Sequence, residues 1–269
     1  MVVFTPEIND LAPIEVELVR VGNKGDGGYL LPQGLIGSCG SLVTFGISTE
    51  WSFEQHVRRL NPDIKIYAVD RTSGVAAFLY SAFRCLTQKD MNAKERLRDL
   101  LKYLVHSVRF AMFFWGKGIR FERRWVAEEA RTKKDLSISE VLSWINPIQN
   151  VLFKIDIEGA EYAILPSIIS SIEGQKLNVN CMVIEFHDTY ERRKEFLDLV
   201  NSLRHSLEIV HMHGNNCVDA APDGFPQVIE ITFARLEKQT TSKRTSLPLA
   251  GLDFVNDPSL PDFEITFYN

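Results

Sequence analysis

The stretch VLFKIDIEGAEYA, residues 151–163, constrains the chain most, because its periodicity changes midway and acids stand at the change. Val151, Leu152, Phe153 and Ile155 make the continuous apolar run of a buried strand, and Asp156 and Glu158 fall where its carboxyl end opens into a loop. Gly159 and Ala160 permit close backbone approach, after which Glu161, Tyr162, Ile164 and Leu165 restart the pattern at helical spacing. A strand that ends in carboxylates and feeds a helix predicts an open α/β sheet, whose ligands lie outside the carboxyl ends of the strands. The same acids would also suit a capped, solvated strand-to-helix turn.

Earlier segments supply more of the same architecture. In SLVTFGISTEWSFEQHVRRL, residues 41–60, Leu42, Val43, Phe45 and Ile47 suit a central strand, and Phe53, Val57 and Leu60 share a helical face. Gly46 is then the tight bend between them. The turn lacks the second and third glycines of the dinucleotide fingerprint, which argues against a nicotinamide-dependent oxidoreductase. Ser52 is expected to cap the helix; Glu54 is expected to receive a ligand ammonium or to complement the helix terminus. Trp51 reads as a pocket wall or a core contact. KIYAVD, residues 65–70, is the next strand, and its Asp70 follows Gly46 by the spacing of about 20 residues at which an acid reads ribose hydroxyls. Arg71 is placed to orient nearby acids. Before these strands, IEVELVRV runs into GNKGDGGYLL, where glycines around Asp26 allow either a ligand-holding loop or a plain hairpin turn.

The later chain repeats strand and helix, which predicts a doubly wound domain. Val75, Phe78, Leu79 and Phe83 suggest one helix, and the stripe Leu97, Leu100, Leu101, Leu104, Val105 and Val108 suggests another, read as core packing. FAMFFWGKG, residues 110–118, reads as core or as an aromatic flap for a lipid-linked acceptor or membrane surface. Arg120, Arg123 and Arg124 face either an acidic substrate or solvent. Ser137 and Glu140 resemble a helix N-cap and its partner. LNVNCMVIEFHD predicts a fifth parallel strand ending at His187 and Asp188; LEIVHMHGNN and VIEITFARL follow as two late strands. The tail reads as a flexible TTSK connection and a docking edge strand, FEITFY.

KIDIEGAEYAIL resembles the signature of the FkbM-like family of S-adenosylmethionine-dependent methyltransferases, and GDGGYLL with FGISTEWSFE resembles a related group carrying an N-terminal DGGY element. The resemblance extends in segments over roughly residues 19–235 and is weak over about 72–135. It implies an α/β class I methyltransferase (Rossmann-like) fold, a doubly wound, mostly parallel sheet with a C-terminal antiparallel hairpin. It implies one domain over residues 1–269, with a helical and aromatic insertion at about 84–118 and an extension at about 238–269. The implied cofactor is S-adenosylmethionine, surrounded by Asp26, Gly27, Gly28, Tyr29, Phe45, Gly46, Ile47, Ser48, Glu54, Asp70, Arg71 and Asp156, with Tyr29 alternatively a core anchor. The implied reaction is methylation of a hydroxyl on a sugar or glycosylated metabolite. Small aromatic, lipid-linked or amine acceptors and a non-catalytic cofactor-binding module remain alternatives.

For such a reaction His187, beside Asp188, is the leading general base and Asp156 the second. Glu158 and Glu185 are placed to orient the acceptor. His211 and His213 alternate by two and can share one side of a strand, beside Gly214, Asn215 and Asn216. A divalent ion can be drawn between Asp156, His187 and Asp188 or at the later histidines, and spacing leaves its requirement open.

Charge bears on partners. A formal net charge of -5 argues against a dominant nucleic-acid surface and leaves room for a local basic patch. No apolar run approaches the roughly 20 residues that span a bilayer, and the start MVVF lacks the features of a secretory signal. Cys39, Cys85, Cys181 and Cys217 lack paired close spacing and read as reduced thiols. The expected location is therefore the bacterial cytoplasm, in tailoring of glycans or glycosylated metabolites before export.

Overall fold

The computed structural model describes residues 2–3, 6–87, 92–236 and 242–268. Strand β1 (Val2–Val3) and helix α1 (Pro6–Asp10) precede a hairpin of β2 (Leu18–Gly22) and β3 (Gly28–Pro32). Then come β4 (Cys39–Phe45), α2 (Ser52–Leu60), β5 (Lys65–Val69), the helices α3 (Val75–Thr87) and α4 (Ala93–Phe114), and β6 (Ile119–Glu122). The pair β7 (Trp125–Ala127) and β8 (Asp135–Ser137) and helix α5 (Ile138–Ser143) lead to β9 (Asn150–Ile155), α6 (Glu161–Glu173) and β10 (Val179–Phe186). Helix α7 (Arg193–Arg204), β11 (Glu208–Gly214), β12 (Ile229–Ala234), β13 (Ser246–Leu247) and β14 (Glu264–Thr266) complete the order.

Seven strands form the central sheet in the order β11-β12-β10-β9-β4-β5-β6. Strands β10, β9, β4, β5 and β6 pair in parallel, while β12 lies antiparallel to both β10 and β11. This is a doubly wound, mostly parallel Rossmann-like sheet, with the expected late antiparallel hairpin. The strand sequence reverses direction across the sheet between β4 and β9, so the ligand crevice of such a sheet opens there.

Both faces of the parallel strands are covered, which is why they read as near-continuous apolar runs. Val43, Phe45, Phe153, Ile155, Met182 and Ile184 pack into one core with residues of α5, α6 and α7. Leu42, Leu152, Cys181 and Val183 point the other way, into a core with α2 and the β2–β3 hairpin. Near the carboxyl ends, this second face turns polar. Register aligns Thr44, Lys154, Val183, Thr232 and His211 across five strands, and Glu185, Glu230 and His213 in the next row. The hairpin lies over these rows, and the Thr232 hydroxyl donates to the Leu30 carbonyl at 2.9 Å.

Several expectations are corrected. The stripe of Leu97, Leu101, Leu104, Val105 and Val108 faces solvent, and α4 buries Ser107, Phe110 and Phe114 instead. Periodicity identifies an apolar face but not what covers it. Phe110 and Phe114 do not form a flap: they pack edge-on against Trp51, which is itself core. Ser52 does not cap α2: it is the first residue of the helix, Trp51 holds the N-cap position without a side-chain bond, and the Glu50 carboxylate accepts from the Ser52 amide at 2.6 Å. Ser137 does cap α5, accepting from the Glu140 amide at 3.2 Å. The tail strand β14 is not an edge strand: it lies between β1 and β13 in a separate three-stranded sheet. Thr240 and Thr241 of the expected flexible connection, residues 88–91 of the expected insertion, and Met1 and Phe4 of the apolar start lie outside the described residues. Among the described residues, no helix is long and apolar enough to cross a membrane.

Gly46 fixes the end of β4. Its φ is +78°, and a Cβ there would stand 1.6 Å from the Asp156 carbonyl oxygen, so both the turn and the approach of β9 exclude a side chain. Gly34 has the same φ with nothing within 4 Å of a Cβ. Urea unfolding should therefore show Gly34→Ala costing about 1–2 kcal/mol and Gly46→Ala costing more than about 4 kcal/mol or abolishing folding. Equal effects at the two positions would contradict the close approach.

Candidate active site

A cavity of about 290 Å³ opens at the carboxyl ends of β4, β5 and β9. Gly46 and Ser48 border it from β4, Asp70, Arg71 and Thr72 from β5, Trp125 and Val126 from β7, and Asp156, Ile157 and Glu158 from β9. A larger hollow of about 520 Å³ lies around Gly40, Lys65 and Asn150, at the amino ends of the strands, away from the crevice that this topology creates.

Asp70 organises the cavity's rim. One carboxylate oxygen accepts from the amides of Ile47 at 2.6 Å and Ser48 at 2.7 Å; the other accepts from the Thr72 amide and hydroxyl and the Ser73 amide. Burial would raise its pKa, but the hydrogen bonds, led by that from Ser48, hold it below the ordinary carboxylate value. Asp70 thus stays ionised and ties the turn after β4 to the turn after β5. A ribose hydroxyl reaching it would have to share these oxygens.

Beneath the rim lies a buried charge cluster. Strand alternation brings Lys154 and Asp156 to one face, where the Lys154 ammonium donates to the Gly46 carbonyl and stands 3.5 Å from Asp156 Oδ2. Burial works to deprotonate Lys154, but Asp156, Glu54 and Glu185 together raise its pKa, so it remains charged. Glu54, expected at a cofactor ammonium, is instead sealed from solvent: its Oε1 accepts from the Thr44 hydroxyl at 2.6 Å, and burial raises its pKa. That position is corrected, since an acid on the buried face of α2 meets the underside of the sheet and no ligand surface. Asp26 feels burial first and Asp156 next, both raising its pKa. Tyr29 is buried edge-on to Phe53 at 5.5 Å, and its hydroxyl has no hydrogen-bond partner among the described residues. Phe45 and Ile47 side chains are core, Gly27 packs against Glu50, and Gly28 admits no side chain because a Cβ would stand 1.9 Å from the Asn23 carbonyl oxygen.

His187 sits just past β10. Glu161, fully buried in the first turn of α6, accepts from the His187 amide at 2.8 Å and lies 3.3 Å from its Nδ1. Nε2 faces Glu158 at 3.5 Å and Glu185 at 3.8 Å. Burial would lower the imidazole pKa, yet Glu161, Glu185 and Asp156 raise it to about 9. At neutral pH the ring is therefore protonated, and in that state it donates and cannot accept a proton. Glu185, buried, close to Asp156 and Glu230, has its pKa pushed well above the usual range by burial first and those charges next. Asp188 is exposed and packs beside Gly159, apart from the cavity lining.

The later histidines have another task. His211 Nε2 lies 3.0 Å from Asp253 and His213 Nε2 lies 3.1 Å from Asp262, so both fasten the C-terminal segment to β11. Asn215 donates to Glu185 at 2.9 Å, and Asn216 donates to the backbone of Asp257 and Leu260. Sequence reasoning did not assign roles to Lys154, Glu161, Glu230, Asp253 or Asp262. For Lys154 and Glu230 a signal existed, because each alternates in phase with an acid or threonine of its strand. Glu161, Asp253 and Asp262 act through contacts that spacing does not reveal.

The sequence matches no protein-family model and no curated protein. Among solved structures, the chain is similar to a fibrillarin pre-rRNA processing protein of Methanococcus jannaschii, at 12% identity and TM-score 0.36 over 82% of this chain and 83% of that one. It is also similar to a precorrin-6y C5,15-methyltransferase of Geobacter metallireducens GS-15, at 12% identity and TM-score 0.34 over 74% and 80% of the two chains. A SAM dependent methyltransferase of Aquifex aeolicus matches at 9% identity and TM-score 0.34 over 75% and 84%. Likenesses this distant assign no chemistry.

Glu230 gives the cluster a pH dependence. Burial foremost raises its pKa to about 7, against an ordinary 4.5. A carboxyl whose folded pKa is raised contributes stability that is fully present below pH 4.5 and lost as pH rises through 7. Glu230→Gln keeps an acceptor for Asn256 and removes the titration, so its melting temperature should equal the parent's below pH 4.5, rise above it between pH 4.5 and 7, and keep a constant lead beyond. A pH-independent difference would show that Glu230 is not held neutral by burial.

Proposed function

We propose that the chain is an S-adenosylmethionine-dependent methyltransferase that acts on a hydroxyl of a sugar or glycosylated metabolite. The observation that carries this reading is the cavity at the switch point between β4 and β9, with the acid cluster of β9 and β10 at its edge. The lining suits an adenosine: Val126, Ile157 and Trp125 offer apolar and aromatic surface, and Asp70 and Arg71 offer polar groups at the ribose position of this fold. The rim at Gly46 leaves backbone, unscreened by a side chain, to meet the amino-acid portion. When bound, S-adenosylmethionine supplies a methyl group activated for transfer, so the protein's task is alignment and removal of the acceptor proton.

On the acceptor side stand Asp156, Glu158 and His187. With His187 protonated in the ligand-free protein, Asp156 takes over as the group able to receive the hydroxyl proton, and His187 orients the acceptor oxygen by donating from Nε2. The sugar preference rests on the FkbM-like sequence resemblance. A lipid-linked acceptor is the second reading, favoured by the exposed Leu101, Val105, Val108, Met112 and Trp115 of the α4 region.

Calorimetric titration with S-adenosylhomocysteine tests the cofactor assignment. The parent should bind, and Trp125→Ala, a half-exposed change at the cavity wall, should weaken binding about tenfold through lost ring contact. Transfer of labelled methyl groups to nucleotide sugars, oligosaccharides, phenols and lipid-linked sugars then identifies the acceptor. A parent protein that does not bind S-adenosylhomocysteine would overturn the proposal.

A further inference from the structure

Three side chains from two adjacent strand ends bring donor atoms into one space. An oxygen of Asp156, an oxygen of Glu185 and a ring nitrogen of His187 all lie within 4.8 Å of one another. Around a divalent ion with bonds of about 2.1 Å, neighbouring ligand atoms stand about 3 Å apart and opposite ones about 4.2 Å, so a small closure of these side chains completes such a shell.

Two further features point to an ion. Behind His187, the buried Glu161 carboxylate lies 3.3 Å from Nδ1 and also accepts from the His187 amide at 2.8 Å, which fixes the ring with Nε2 toward the cluster. A carboxylate behind the distal nitrogen is how a metal-bound imidazole is oriented. Independently, the Tyr29 hydroxyl is buried without a partner among the described residues, and after burial itself the charges that most raise its pKa are Asp156 and Glu185. A water on a bound ion would give that hydroxyl the partner it lacks.

We propose that Asp156, Glu185 and His187 bind a first-row divalent cation, Mn²⁺ foremost, at the acceptor edge of the cavity. Two carboxylate oxygens and one imidazole nitrogen form a mixed hard and intermediate donor set that suits such an ion. The oxygens that face the cluster already have one partner each and keep a lone pair for the ion: Oε1 of Glu185 stands 3.8 Å from His187 Nε2. Asn215 holds Oε1 of Glu185 at 2.9 Å, and Lys154 stands 3.5 Å from Oδ2 of Asp156. Glu158 lies 3.5 Å from His187 Nε2 on a side chain 87% exposed, so it can swing aside or join the shell. On the methyl-transfer reading, on which this role alone rests, ion binding would displace the Nε2 proton, so that His187 ligates the ion in place of donating to the acceptor, and the ion would hold and acidify the acceptor hydroxyl beside Asp156.

The test uses the full chain, stripped with chelator and titrated with Mn²⁺ while electron paramagnetic resonance reads the free ion. The parent should take up one ion per chain, with a nitrogen coupling in the spin-echo spectrum from the imidazole. Glu185→Gln and His187→Gln should each weaken uptake at least tenfold, and His187→Gln should abolish the nitrogen coupling. Absence of saturable uptake by the parent, uptake undiminished in both variants, or uptake without nitrogen coupling would overturn the site. If one variant fails to fold, the other and the parent's nitrogen coupling still decide. S-adenosylhomocysteine titration of the same samples separates the two claims: loss of that binding in the parent strikes the methyl-transfer reading and leaves the Mn²⁺ result intact.

Discussion

The structure depends on one backbone contact, where the ends of β4 and β9 meet at Gly46 and Asp156. The Asp156 amide donates to the Phe45 carbonyl at 3.1 Å, the Lys154 ammonium donates to the Gly46 carbonyl, and no side chain fits between. The contact sits at the point where the sheet order reverses, so it sets the floor of the crevice. Asp70 then joins the turns on either side by accepting from Ile47, Ser48, Thr72 and Ser73. A tight turn, a buried carboxylate and a cavity are thus consequences of the same approach of two strands.

Around that floor, the fold buries more charge than a core ordinarily tolerates. Lys154, Glu54, Glu185, Glu230 and His213 are all buried on one side of the sheet, beneath the β2–β3 hairpin. Each isolated charge would cost several kcal/mol to desolvate, and the pKa shifts show how the fold limits that cost: Glu54 and Glu230 move toward neutrality, while Lys154 keeps its charge among acids. A polar layer of this kind, placed next to a cavity and fastened by His211–Asp253 and His213–Asp262, is better suited to holding ligands than to maximising stability.

Much of the architecture was legible because buried parallel strands leave simple marks. The runs LVTF, VLFKI and CMVIEF became β4, β9 and β10, and the glycine at 46 and the acid at 70 fell at adjoining strand ends. Helix amphipathicity misled at α4, since a stripe of Leu and Val reads the same whether a core covers it or not. Glu54 misled because an acid in the first turn of a helix carries no mark of which way it faces. The partnership of Glu161 with His187 joins the start of α6 to the end of β10, 26 positions apart, and such a contact leaves no local trace in sequence. Likewise, the proton state of His187 depends on three acids brought together only by folding.

The central claim is that the crevice between β4, β5 and β9 holds the cofactor, with the acids of β9 and β10 on the acceptor side. A crystal structure with S-adenosylhomocysteine tests it most directly. The account predicts the adenine beside Trp125 and Val126, the ribose hydroxyls within hydrogen-bond reach of Asp70, and the sulfur turned toward Asp156. An adenosine bound in the hollow around Asn23, Glu50 and Asn256, or at the amino ends of the strands, would contradict it.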